Sequence, residues 1–191
     1  MLHFIITLIR GFRTLLNNNK GTKGSLLQKD KTMQIQKPLL AGKYEPNKAV
    51  FPLLATPKID GIRFLMVEGV AVSRTFKPIR NEYIQAVLSS SLPDGIDGEL
   101  TSGDSFQDCG NIMRIKGEPS FHIWLFDYVN PLLSMMGYEK RLAELQEMEV
   151  NLRKKLGDKF TILHPVQVNN HQELEALDAA FTSDGYEGTM V

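Results

Sequence analysis

Three groups of side chains in this sequence are of types that do chemistry at close quarters. Lys58, Asp60 and Arg63 sit close together, between an apolar run broken by Pro57 and a second apolar run over residues 64–67. If Lys58 ends or leaves a strand and Asp60-Gly61 makes the turn, the lysine, aspartate and arginine converge on one ligand. A protonated lysine is a poor nucleophile. It becomes a useful one where a cationic or apolar setting lowers its pKa, or where nearby charge orients it. Asp97 and Glu99 flank Gly98 at the start of a short apolar strand. Such a pair is expected to present one carboxylate to each face, so that one alone need enter a site. Glu187, beside Gly188, is the third acidic candidate. Each group also has a plain reading: a surface lysine beside a β-turn, an ordinary Asp-Gly turn, a pair of loop acids.

These residues need a scaffold, and the composition allows one. The chain has 191 residues, 42% of them apolar, enough for one domain with a tail. Lys plus Arg and Asp plus Glu number 22 each, so bulk charge alone does not hold this protein on nucleic acid. A single cysteine, Cys109, excludes an intramolecular disulfide framework and fits a reducing compartment. The four histidines are scattered and make no zinc-type ligand cluster. No apolar stretch reaches the roughly 18 residues of a membrane span, and the positive charges Arg10 and Arg13 follow the apolar start instead of preceding it. The chain therefore reads as cytoplasmic, with no membrane partner.

Along the chain, residues 1–32 stand apart as a polar, Asn- and Lys-rich extension behind an apolar start, read as a peripheral extension or a short surface helix with a linker. Met33 is a candidate start of the domain proper. Residues 33–55 are punctuated by Pro38, Pro46 and Pro52 and read as an approach loop with one short strand or turn. Glu68-Gly69 predicts a hairpin turn with a returning strand over residues 70–74. Residues 81–90 carry Tyr83, Ile84, Val87 and Leu88 on one helical face. Residues 96–100 and 121–129 read as strands, the second aromatic and β-branched. Residues 138–156 read as one charged helix with Leu142, Leu145, Met148, Leu152 and Leu156 inward. A strand over residues 160–168 and a helix over 169–181 complete the pattern.

Lys58-Ile59-Asp60-Gly61-Ile62-Arg63 resembles motif I of the covalent nucleotidyltransferases, a superfamily of DNA ligases, RNA ligases and mRNA-capping enzymes. Asp97-Gly98-Glu99 resembles motif III, residues 121–129 motif IIIa, and Glu187-Gly188 motif IV, in the family's order and at comparable intervals. The ordered set is most similar to the compact ATP-dependent DNA ligases of phages and bacteria. The resemblance implies an α+β nucleotidyltransferase (adenylylation) domain, with antiparallel sheets flanked by helices and an ATP-grasp-like character. It implies that Lys58 is the nucleophile that takes AMP from ATP, with Asp60 and Arg63 shaping the catalytic site. It also implies nucleotide contacts from Thr56, Lys58, Arg63, Arg74, Glu99 and Phe126, and Mg²⁺ held by Glu99 and Glu187. Thr56 departs from the glutamate that many DNA ligases carry two residues before the lysine, which shifts adenine recognition toward backbone groups or Thr56 itself. Trp124 and Phe126 both suit the base-packing position; Phe126 is preferred, Trp124 having a good claim to plain core, and Asp127 is a candidate metal or structural carboxylate. Lys77 and Arg80 read either as solvent-facing charges or as contacts to a DNA backbone. Cys109 is given no catalytic role.

The resemblance covers residues 50–191. Motif V and an oligonucleotide-binding domain have no counterpart, so residues 33–191 are expected to form a partial adenylylation domain, with the remainder supplied by a second chain or belonging to an intact relative. The implied partner is nicked duplex DNA, in replication, repair or recombination in a bacterial cell or a phage-infected host. RNA ligation and a non-catalytic nucleotide- or DNA-end-binding role are the competing functions.

Overall fold

In the computed structural model, which describes residues 41–103 and 106–191 together with the backbone of residues 4–8, the chain is divided between two five-stranded sheets. In chain order the strands are β1 (Phe4–Leu8), β2 (Ala41–Lys43), β3 (Leu53–Pro57), β4 (Ile62–Val67) and β5 (Val70–Ser73). They continue with β6 (Ile96–Thr101), β7 (His122–Tyr128), β8 (Phe160–Ile162), β9 (Val166–Val168) and β10 (Gly188–Met190). The helices are α1 (Glu82–Ser91), α2 (Tyr138–Glu147), α3 (Glu149–Leu156) and α4 (His171–Ser183). One sheet has the order β2-β1-β10-β3-β9 and the other β5-β4-β6-β7-β8. Neighbours are antiparallel except β1 with β10 and β7 with β8, so the expected α+β architecture holds with two parallel pairs added.

The second sheet packs its inner face on α1, α2 and α3. Phe64, Met66, Leu100, Ile123 and Leu125 from the strands meet Ile84, Leu88, Leu145 and Leu152 from the helices, all buried. Burial of each such side chain contributes roughly 1.5–3 kcal/mol. A smaller cluster of Tyr44, Ala55, Val168 and Leu174 holds α4 against the first sheet. The β4–β5 hairpin turns at Glu68 (φ 51°) and Gly69 (φ 74°), both left-handed, as a two-residue turn that matches strand twist requires. Asn81 caps α1, its Oδ1 accepting from the Ile84 amide, while its Nδ2 donates to the Arg114 and Gly117 carbonyls.

Three readings change. The single helix over residues 138–156 is two helices that meet at Met148, whose amide bonds back to Leu145 in a tightened turn. The strand over residues 160–168 is also two, because Pro165 has no amide to give a ladder; β8 joins the second sheet and β9 crosses to the first. Within the apolar start, Phe4–Leu8 is a strand between β10 and β2 and not a surface helix. The rest of the segment up to residue 40, including Met33, lies outside the described residues.

Candidate active site

Lys58 is the first residue beyond β3. The pairing of β3 with β10 sets Thr189 opposite Pro57, and the ladder runs one step further. The Lys58 amide donates to the Gly188 carbonyl at 2.8 Å, and the Glu187 amide donates to the Lys58 carbonyl at 3.3 Å. This backbone clasp makes Lys58 and Glu187 neighbours although they are far apart in sequence, and their side chains form an ion pair. The two side chains are 21% and 39% exposed, so an incoming ligand can reach both. Thr56 lies half-buried two residues earlier, opposite Met190.

From Lys58 the chain passes from one sheet to the other through residues 58–61. Gly61 makes this crossing. A Cβ there would lie 2.4 Å from the Leu100 carbonyl oxygen and 2.9 Å from Glu99 Cγ. The glycine of the motif is thus explained by close approach to β6, and the approach brings Lys58 toward Glu99. Asp60 is exposed on this crossing.

On the second sheet Arg63 stands opposite Glu99, and Glu99 opposite Trp124. Arg63 grips Asp97 with two bonds, Nε to Oδ1 at 2.9 Å and Nη2 to Oδ2 at 2.6 Å. Here the expectation that Asp97 and Glu99 face opposite ways is corrected. Residues two apart on a strand share a face, and both carboxylates act on Arg63. Gly98 between them packs where a Cβ would meet the Trp124 carbonyl oxygen at 2.4 Å and the Phe64 ring at 2.8 Å. At the same point the β6–β7 register slips, pairing Asp97 with Asp127 and Gly98 with Leu125. Phe126 is the residue left over, and its ring lies under the Arg63 guanidinium, 5.5 Å from centroid to Cζ.

Electrostatically the site is an acidic strip set in apolar surroundings. Burial pushes the Glu99 carboxyl up to about 8; Asp97 and Asp60 add to the rise, while Arg63 and Lys58 oppose it. Burial also raises Asp97, against the pull of Arg63. For Arg63 burial acts downward, but the bonds to Asp97 outweigh it and the guanidinium stays firmly charged. A carboxyl held this high attracts positive charge, whether a proton or a cation. Among the described residues no three His, Cys, Asp or Glu side chains converge as a cation cage. Mg²⁺ that arrives with phosphates needs only one or two protein carboxylates, and Glu99 and Glu187 fit that donor set.

Lys58, Arg63, Glu99, Phe126 and Glu187 are thus linked through the crossing at Gly61 and the clasp at Gly188. Arg74, just past β5, is exposed, and no described contact joins it to them. Asp127 is held by Arg141 through two bonds of 2.8 Å and takes the structural one of its two expected roles. Trp124 is half-buried beside Glu99, its Nε1 donating to Thr101 Oγ1 at 3.0 Å. Sequence reasoning missed the Arg63–Asp97 and Arg141–Asp127 pairs. The signal was an aspartate inside an otherwise apolar strand, which demands a cation from elsewhere.

No protein-family model and no curated protein sequence matches the chain. Solved structures do. It is 35% identical to Chlorella virus DNA ligase-adenylate, with a TM-score of 0.67, over 76% of this chain and 56% of that one. A second crystal structure of the Chlorella virus DNA ligase-adenylate gives 34% identity and a TM-score of 0.66, over 76% and 54%. The ATP-dependent DNA ligase of bacteriophage T7, in complex with ATP, shares the fold at 19% identity and a TM-score of 0.54, over 72% of this chain and 55% of that one. The chain spans a little over half the length of these solved structures.

Proposed function

Because the chain belongs to the ATP-dependent DNA ligase family, as its adenylylation domain, we propose that Lys58 takes AMP from ATP as a covalent phosphoramidate, the first step of sealing a nick in duplex DNA. The observation that carries this reading is the clasp that sets Lys58 against Glu187 while Gly61 brings the same lysine toward Glu99 and Arg63. In the reaction the Lys58 amine attacks the α-phosphorus of ATP. A nitrogen–phosphorus bond forms, the bond to the bridging oxygen breaks, and pyrophosphate leaves with that electron pair. Attack needs the free amine, and Glu187, in ion-pair contact with Lys58, is placed to receive its proton. Arg63, fixed by Asp97 and lying over Phe126, presents positive charge toward the ligand side of the sheet. Phe126 offers a flat apolar surface for a base, and Thr56 a hydroxyl on the strand that leads to the nucleophile. Glu99 and Glu187 would hold Mg²⁺, which would offset phosphate charge.

In the later steps AMP passes to the 5′-phosphate at the nick, and the 3′-hydroxyl displaces it to close the strand. These steps need duplex DNA. Arg74, Lys77 and Arg80 are exposed and in no ion pair among the described residues, which suits a phosphate backbone. Arg114 and Lys116 are carried by the loop that Asn81 ties to the same place. Positive groups from a further domain or a second chain complete the machinery for sealing.

Intact-protein mass after incubation with ATP and Mg²⁺ tests the first step. The expected result is one AMP adduct with ATP, none with GTP or NAD, and none for Lys58→Ala. A folded chain that binds ATP without an adduct refutes it and favours a non-catalytic nucleotide-binding role. Transfer of the adduct to a nicked RNA duplex in preference to nicked DNA favours RNA ligation.

A further inference from the structure

Two arginines on different elements close off two carboxylates that face one another across strands. Asp97 on β6 and Asp127 on β7 are in direct register. Like charges directly opposite destabilise a sheet unless each is compensated. Arg63 on β4 compensates the first through bonds of 2.9 and 2.6 Å, and Arg141 on α2 compensates the second through two bonds of 2.8 Å. Both Asp127 oxygens are bonded, Oδ1 also accepting from the Tyr128 amide at 2.8 Å. Arg141 Nη1 further donates to the Met136 carbonyl at 2.7 Å, which anchors α2 and the loop before it to the end of β7. The side chains of both ion pairs are largely buried, so water screens them weakly. The result is a row of four alternately compensated charges, Arg63, Asp97, Asp127 and Arg141, that runs from the ligand face to a helix behind it.

We propose that Arg141 is a positioning residue for the site, holding the Arg63 guanidinium over Phe126 by neutralising the carboxylate that faces Asp97. Asp127 already acts electrostatically on Arg63, and without Arg141 it competes for that guanidinium. Asp97 holds the Nε–Nη2 edge of that guanidinium, and this bidentate grip sets its orientation. Sharing the guanidinium with a second carboxylate rotates it off the Phe126 ring and away from Glu99. The idea gives a job to α2, which has no residue in the site. It also accounts for an aspartate next to the ring under Arg63. Burial, then repulsion from Asp127, raises the neighbouring Tyr138 hydroxyl to about 12, consistent with the field of that carboxylate reaching past its own partner.

The placement of Arg63 is defined without reference to activity; its effect on adenylylation rests on the function proposed above. The test compares wild type, Arg141→Met, Asp127→Asn and the double variant. The Arg63 Nε–H signal is followed by nitrogen-15 NMR, assigned with Arg63→Lys, beside the rate of AMP-adduct formation. In Arg141→Met the Nε–H signal is expected to shift and exchange faster, and the adduct rate to fall about tenfold or more. In the double variant both are expected to return most of the way, because the unpaired charge is gone although Arg141 is still absent. A purely packing role predicts no such return, since Asp127→Asn restores no contact made by Arg141. An unchanged Arg63 signal in folded Arg141→Met overturns the proposal, as does a double variant no better than the single. Where wild type forms no adduct, the functional reading fails and the NMR arm alone decides this one.

Discussion

Replacing Glu99 by glutamine separates what stabilises this fold from what its site needs. In the ligand-free protein the Glu99 carboxyl titrates at about 8 against an ordinary 4.5, chiefly because it is buried. Between those two values the folded chain holds a proton that the unfolded chain has released. Stability contributed by the protonated acid is therefore complete below the ordinary value and lost as pH rises through the folded one. At about 1.4 kcal/mol per unit the loss has an upper bound near 5 kcal/mol, and water entry and side-chain relaxation reduce it to about 2–3 kcal/mol. Glutamine has the same shape and no charge to bury, so Glu99→Gln escapes the loss. The assay is urea or thermal unfolding of wild type and variant at pH about 5.5 and about 8.5. The variant is expected to gain about 1–2 kcal/mol on wild type between the two pH values, since part of the loss is already complete at pH about 5.5, or about 3–6 °C in midpoint for a chain of this length. Parallel pH dependence in the two proteins would refute the reasoning, because it would mean that Glu99 is not held in a costly charged state. The same variant is expected to lose AMP-adduct formation, so the stabler protein is the less competent one.

Other substitutions give further checks. Lys58→Ala removes a partly exposed ion pair and is expected to change unfolding free energy by less than about 1 kcal/mol while abolishing the adduct, as read by denaturation and mass. Gly61→Ala places a methyl group against the Leu100 carbonyl and is expected to cost about 1–3 kcal/mol in a denaturant titration, with a slower adduct reaction because the crossing must shift. Asn81→Ala loses the helix cap and both bonds to the residue 114–117 loop, at about 2–3 kcal/mol, and is expected to increase amide exchange at Ile84 and at Glu82, whose amide donates to the Ile115 carbonyl, together.

The parts of this architecture set by local chemistry were legible in the sequence. The Glu68-Gly69 turn, the α1 cap at Asn81 and the apolar strands on either side of Lys58 follow from residue type at short range. So does the exit of Lys58 from a strand, because Pro57 and Asp60-Gly61 punctuate the chain there. The breaks at Met148 and Pro165 were harder to see. Each lies within a run whose apolar periodicity continues across it, so the local cause, a tightened turn at Met148 and the missing amide of Pro165, is masked by the pattern. Within the candidate site, the ordered family motifs single out Lys58, Glu99 and Glu187, and the backbone brings Lys58 beside Glu187. The partner of Arg63 was not legible, since the choice of Asp97 depends on a register slip at Gly98 that one strand cannot encode alone. Asp127 had two candidate roles until Arg141, on a helix that follows, was seen to take both of its oxygens.

The strand that brings Glu187 to Lys58 follows every other described element, and it pairs with β3 and, through Phe4 and Gly188, with β1. The second sheet has no such dependence; its strands and helices lie between Ile62 and Ile162 and are joined mainly to near neighbours in sequence. On the ribosome that sheet is free to condense while the lysine still lacks its carboxylate, and the slow, long-range closure follows it. Lys58 thus meets Glu187 only after the sheet that carries Arg63, Glu99 and Phe126 is free to form, so a half-made chain carries those three side chains without the Lys58–Glu187 pair.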